Sequence, residues 1–229
     1  MQQTETLIYG NYYHIYNRGI NSCDLFRDAD NYEHFLNLYD KYISPIADTY
    51  AWVLMPNHFH LLLRIKDEKE ILSSSNLTGF KNLSGLGQAQ NTHQNLSGLN
   101  QAQNTLQNLS GIRLPFKHFS DLFNAYSKAF NKRFNRHGSL FERPFKRKVI
   151  DNEIYLKQVL LYIHNNPVHH GFCEHPMEYA WSSYLSCISL KPTKLKRDII
   201  IGWFDDLANF KTIHNQNIEI TAIEKLLEI

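Results

Sequence analysis

A chain of 229 residues, 43% apolar and 13% aromatic, can bury a core as one domain with a small extension. Its net charge of +2 is close to neutral, so the total implies no nucleic-acid partner and the distribution must be read instead. No apolar run reaches the length of a membrane span, and the opening Met1-Gln2-Gln3-Thr4-Glu5 has no signal-peptide pattern, so neither membrane nor export is expected. Cys23, Cys173 and Cys187 are odd in number and scattered, which excludes a disulfide framework and suits a reducing cytoplasm.

Tyr12 to Arg18 alternates, is rich in aromatics and reads as a strand. Gly19 to Phe26 is a turn region. Asp28 or Asp30 caps a helix to about Ser44, with Tyr32, Phe35, Leu36, Tyr39 and Ile43 at helical spacing and Pro45 as its stop. Trp52 to Ile65 then reads as a strand, a tight Pro56-Asn57 turn and a second strand. Residues two apart on a strand share a face, so His58 and His60 stand side by side with Phe59 on the other side. Two neutral imidazoles on a rigid strand begin a divalent metal site, but a His pair is common and a third donor is needed.

Leu72 to Ile112 is different in kind. Asn82 to Gln94 is nearly repeated by Asn95 to Gln107, and a third copy begins at Asn108, a period of 13 residues that fits no solenoid repeat. The segment is rich in Asn, Gln, Ser and Gly, with too little apolar surface to offset its ordering entropy. It is expected to be an insertion in a connecting loop, about 73–112.

Order resumes at Phe116. Ser120 or Asp121, or a residue slightly earlier, starts a helix with Leu122, Phe123, Tyr126, Ala129, Phe130 and Phe134 on one stripe. Its other face carries Lys128, Lys132, Arg133 and Arg136, and Gly138 is expected to close it after His137. Leu140 to Val149 reads as a strand holding Arg143, Lys146, Arg147 and Lys148. From Arg113 to Lys148 ten Lys or Arg face two acids, a local net of +8. Such one-signed charge interleaved with rings suits the backbone of single-stranded nucleic acid, so these eight helix and strand cations are the expected DNA contacts.

Asp151 or Asn152 caps the next helix, which carries Ile154, Leu156, Val159, Leu160 and Ile163 and is expected to end near Asn165-Asn166-Pro167. Tyr162 and Asn166, four apart, share a face of it. The rest, about 185–229, reads as a small helical extension on a domain spanning 1–184.

Pro-Asn-His-Phe-His-Leu-Leu at 56–62 and Tyr-Ile-His-Asn-Asn-Pro-Val-His-His-Gly at 162–171 resemble the HUH single-tyrosine transposases, the REP-associated tyrosine transposases above all. The Tyr12-to-Gly19 opening, Gly138-Ser139-Leu140-Phe141 and Trp181-Ser182-Ser183-Tyr184 resemble the same group, which covers the chain from about Tyr12 to Tyr184 apart from the repeats.

The resemblance implies an α+β, ferredoxin-like fold: an antiparallel sheet with helices on one face, in the order βαββαβα. The order of elements read from the residues agrees. It also implies an enzyme in which Tyr162 attacks a DNA phosphate to give a 5′-phosphotyrosine, with Mg2+ or Mn2+ held by His58 and His60. The family's third ligand lies one turn beyond the nucleophile, which here is Asn166, a hard amide donor suited to such ions. The implied partner is single-stranded or hairpin DNA in the bacterial cytoplasm, for a monomer or homodimer. Tyr126, also on a basic helix, is the rival nucleophile, though its apolar stripe suits the core. His164 is either a proton shuttle, a DNA contact or a surface histidine, and Arg18 a phosphate contact or a surface ion pair. His169 and His170 are expected against phosphate or solvent, outside the ligand set. Two other classes stay open: a DNA-binding protein of this fold that no longer cleaves, and a metal-dependent hydrolase that uses the histidines without a tyrosine.

Overall fold

Four antiparallel strands form one sheet in the order β2-β3-β1-β4: β1 (Tyr12–Arg18), β2 (Ala47–Met55), β3 (His58–Ile65) and β4 (Lys146–Ile150). The helices are α1 (Ala29–Tyr42), α2 (Glu68–Thr78), α3 (Pro115–Arg133), α4 (Glu153–His169), α5 (Tyr184–Ile188), α6 (Arg197–Gly202) and α7 (Leu207–His214). This computed structural model describes residues 5–78 and 112–216; most of the expected repeat insertion and the last residues of the extension lie outside them. Among the described residues no helix is long and apolar enough to cross a membrane.

The strand–helix–strand–strand–helix–strand run with β1 and β3 in the centre is the ferredoxin-like arrangement. Strand alternation divides the sheet into two faces. Tyr13 and Ile15 of β1 and Phe59, Leu61, Leu63 and Ile65 of β3 point to one face, where α1 and α3 cover them with Phe35, Phe119, Leu122 and Tyr126. The other face carries Ala51, Val53 and Met55 of β2, Leu62 of β3 and Ile150 of β4, and α4 covers these. The two helices inside the ferredoxin order thus share one face, while the tyrosine helix packs on the opposite one. Those apolar residues of the second face would otherwise meet water. The helices α5 to α7 extend the same core through Tyr184, Ile200, Phe204 and Phe210. Trp181–Ser183 also runs along the outer edge of β2, with Leu54 N–H donating to Trp181 O and Ser183 N–H to Trp52 O, each at 2.9 Å. That pairing closes an edge that would otherwise be open.

Local chemistry sets the element ends. The Asp28 carboxylate accepts from Asn31 N–H at 3.1 Å to cap α1, and Asn152 accepts from Tyr155 N–H at 2.8 Å to cap α4. Pro115 opens α3, where its missing N–H costs nothing.

Three expected boundaries move. The last strand begins at Lys146, not Leu140: Pro144 has no N–H for a ladder, and only Phe141 forms a bridge, to Gly19. Helix α3 stops at Arg133, because Asn135 adopts the left-handed conformation (φ 48°) that ends helices. Helix α4 passes through Pro167 to His169: the proline gives up its own bond back to the preceding turn, and His170 N–H still donates to Asn166 O at 3.0 Å.

Candidate active site

The β2–β3 hairpin places the histidine pair. Its Pro56-Asn57 turn is held from outside: Leu25 and Phe26 N–H donate to Pro56 O (2.7 and 2.9 Å), and Gly19 N–H donates to Asn57 O (2.8 Å). Gly19 must be glycine, since a Cβ there would lie 1.9 Å from the Cys23 carbonyl oxygen. Cross-strand register then lays out the face under α4. Val53, His60, Tyr16 and Lys146 lie opposite one another across all four strands, with Met55, His58 and Arg18 in the next row. Phe59 points the other way and packs on Phe35 at a ring separation of 5.3 Å.

Helix α4 brings Tyr162 and Asn166 to this face. The Tyr162 ring meets His60 edge-on at 5.2 Å and His14 at 6.1 Å. One turn on, Asn166 Oδ1 lies 3.1 Å from His58 Nε2. The His58 and His60 rings stand 5.3 Å apart and nearly perpendicular. The four side chains expected to form the site therefore converge within one chain. Tyr126 does not join them: it lies in the α1–α3 core on the far side of the sheet, and its hydroxyl donates to Leu25 O.

The donor set fits a hard divalent cation. His58 Nδ1 lies 2.7 Å from Asn57 Oδ1, so it carries the ring's proton and Nε2 keeps a lone pair. That lone pair faces an amide oxygen, while Asn166 Nδ2 is buried with no hydrogen-bond partner. Adjacent donors around an octahedral ion at about 2.1 Å sit about 3 Å apart, which matches the 3.1 Å between His58 Nε2 and Asn166 Oδ1. Among the described residues no three His, Cys, Asp or Glu side chains form a metal-holding group; the amide oxygen of Asn166 lies beside His58. Burial holds His58 down to about 4, helped by the His170 and Arg18 charges and opposed by the Asn166 amide oxygen, which would favour a protonated ring. Burial likewise holds His60 well below the usual histidine range. Both are therefore unprotonated, as ligands must be, at neutral pH.

The cations divide between the two sides of the sheet. Lys146 and Lys148 lie on the histidine face, opposite Tyr16 and His14. Arg147 points to the other face, over the Phe145 ring and bonded to Glu5 O. Arg143 is exposed just before β4. Lys128, Lys132, Arg133 and Arg136 ride on α3 and the turn after it, in the layer opposite Tyr162. Arg133 pairs there with Asp28 (2.9 Å) and Asp30 (3.0 Å), and Arg136 donates to Asn131 Oδ1 (3.1 Å). Arg18 pairs with Glu142 at 2.7 Å, and His170 lies against the His58 ring at 5.1 Å.

His164 is not a surface residue. It is fully buried in a chain of hydrogen bonds whose direction can be derived. The Phe210 carbonyl can only accept, so His214 Nδ1–H donates to it (2.7 Å). His214 Nε2 then accepts from His164 Nδ1–H (2.9 Å), and His164 Nε2 accepts from Ser183 Oγ–H (2.8 Å). Ser183 Oγ in turn accepts from Trp52 N–H at 2.9 Å. These bonds tie the tyrosine helix to α7 and β2. Sequence reading missed them because the partners are separated by 19 to 131 residues. It also gave His14 no role; strand alternation puts His14 on the face of Tyr12 and Tyr16, but only the β1–β3 pairing puts that face beside His60.

Comparison with known proteins gives the class of fold. No protein-family model and no curated protein sequence matches the chain. Among solved structures, that of a REP-associated tyrosine transposase bound to a REP hairpin superposes with a TM-score of 0.55 at 14% identity, covering 84% of this chain and 88% of that one. The chain thus has the HUH transposase fold, in the form seen in a REP-associated tyrosine transposase.

Proposed function

We propose that the chain is a metal-dependent enzyme that cleaves and rejoins single-stranded DNA through a 5′-phosphotyrosine at Tyr162. The single observation that carries this is the convergence of Tyr162, His60, His58 and Asn166 on one face of the sheet. The similar structure holds a DNA hairpin, so hairpin DNA is the first substrate to test.

In the reaction, Tyr162 loses its phenolic proton, its oxygen bonds to phosphorus, and the 3′ oxygen leaves as a hydroxyl. The covalent link conserves the energy of the broken strand, so another 3′-hydroxyl can reverse it without a nucleotide cofactor. His58, His60 and Asn166 would hold Mg2+ or Mn2+, which when bound supplies Lewis-acid polarisation of the phosphate. Lys146 and Lys148 on the same face, with Arg143 at its margin, would follow the DNA backbone. The cations of α3 and Arg147 would engage DNA that wraps beyond that face. That the four site residues meet within one chain supports the monomer over the homodimer.

The test is denaturing electrophoresis of the protein with labelled single-stranded hairpin DNA and Mn2+. A protein-linked band is expected, absent in Tyr162→Phe and His58→Ala. A band that persists in Tyr162→Phe refutes this nucleophile. A second reading, a binding protein that does not cleave, draws on the burial of Tyr162 at 2% exposure. It predicts hairpin binding with no linked band under any metal.

A further inference from the structure

His14 occupies the middle of β1 with no exposed surface, and no step above uses it. Register sets it diagonal to His60: His14 lies opposite Leu62, and Tyr16 opposite His60. Diagonal neighbours on one face are within reach of long side chains. Here His14 Nε2 lies 3.0 Å from His60 Nδ1, with the rings 15° from parallel. Tyr16 stacks against both, at 4.8 Å from His14 and 5.7 Å from His60. The three rings pack as a triangle, each against the other two.

We propose that His14 is a positioning residue for His60: when His60 Nε2 carries a divalent cation, His14 Nε2 accepts the His60 Nδ1 proton and holds the ring in its ligating orientation. The proposal rests on the metal-dependent reading given above.

Between the two facing nitrogens there is room for one hydrogen. If His60 donates it, His60 Nε2 is bare and can bind metal. If His14 donates it, the His60 proton sits on Nε2 and blocks that nitrogen. The remaining nitrogen, His14 Nδ1, is buried with no hydrogen-bond partner, which favours leaving it a bare lone pair over an unsatisfied N–H, so without a cation His14 is the donor and the His60 proton sits on Nε2. A ligand role for His60 Nε2 requires the opposite arrangement, in which His60 Nδ1–H donates to His14 Nε2 and that bond holds the plane of the ring. Metal-bound histidines usually donate their other N–H to a carboxylate or a carbonyl. A neutral imidazole in that place orients the ligand without adding negative charge, so the cation keeps its full charge for an anionic phosphodiester.

Manganese binding by calorimetry on the whole protein is the test, with wild type, His14→Phe, His14→Gln and His60→Ala compared. His14→Phe keeps a ring beside Tyr16 and His60 and loses the acceptor; Mn2+ affinity is expected to fall by about 10- to 100-fold, the usual cost of removing such a partner. In His14→Gln an amide oxygen can accept the proton, so part of the affinity returns. Hairpin binding without metal is expected to stay unchanged in both. A folded His14→Phe that binds Mn2+ as tightly as wild type overturns the proposal and leaves the metal site standing. A wild type that binds no Mn2+ overturns both. Nitrogen NMR of the Mg2+-loaded wild type needs no variant: a protonated Nδ1 on His60 supports the assignment, and a protonated Nε2 refutes it.

Discussion

Tyr162 and Tyr126 are both buried phenols set among rings, and their neighbours alone separate them. Tyr162 faces two imidazoles; Tyr126 packs among Phe26, Phe35 and Phe141, and burial raises its pKa. The two tyrosine-to-phenylalanine variants should therefore fail in opposite ways. Tyr162→Phe is expected to lose the DNA adduct on a denaturing gel. Tyr126→Phe is expected to keep the adduct and lose about 1 kcal/mol in urea unfolding, the usual net worth of a hydrogen bond such as that to Leu25 O. At this scale the sequence displayed the residue types, the His58–His60 spacing and the Tyr162–Asn166 spacing. It did not display the role of His14, because a histidine in an aromatic strand looks the same whether it faces another histidine or a leucine.

Helix α4 is the element that makes the site, and its start can be weakened without touching its chemistry. The Asn152 cap lies about three turns before Tyr162. Asn152→Ala should cost about 1 kcal/mol of stability, read from the urea midpoint, with unchanged adduct yield per folded molecule. Strand β4 supplies the cations nearest the histidines. Replacing Lys146 and Lys148 by alanine should weaken single-stranded DNA binding. It should also flatten the plot of log affinity against log salt by about 0.7 for each phosphate that is no longer neutralised. Fluorescence anisotropy across a salt series checks both. The same change at Lys128 and Lys132, on the opposite layer, should have the smaller effect. The caps of α1 and α4 were readable because they are local, each side chain reaching a backbone three residues on. The end of α3 was misread because two residues, Asn135 and Gly138, both take left-handed conformations, and only the fold shows which one the helix meets first.

Over the whole molecule, the second core joins α4, β2 and α5 to α7, and its polar centre is the His214–His164–Ser183–Trp52 chain of hydrogen bonds. Burial lowers the His214 pKa to about 4, with the His175 charge adding and the bond to Phe210 O opposing. Below the ordinary value of 6.5 the unfolded chain takes up protons there that the folded chain refuses. The resulting stability is therefore full above that value and lost as pH falls toward about 4. Urea midpoints should drop across that window, and His214→Gln, which removes one titrating group, should give a shallower drop. A midpoint that does not move between neutral pH and about pH 4 would contradict the buried neutral network.

By itself the sequence determined the order of strands and helices, because alternation, helical spacing and caps are properties of neighbours along the chain. It also determined that two histidines share a face and that a tyrosine and an amide share one helix stripe. Only the tertiary structure decided that these faces meet and that Tyr126 lies on the other side of the sheet. It alone divided the basic residues between two layers and buried His164 and His14. Strand order, layer and burial depend on which distant surfaces exclude water together, and that is settled by the packing of the two cores.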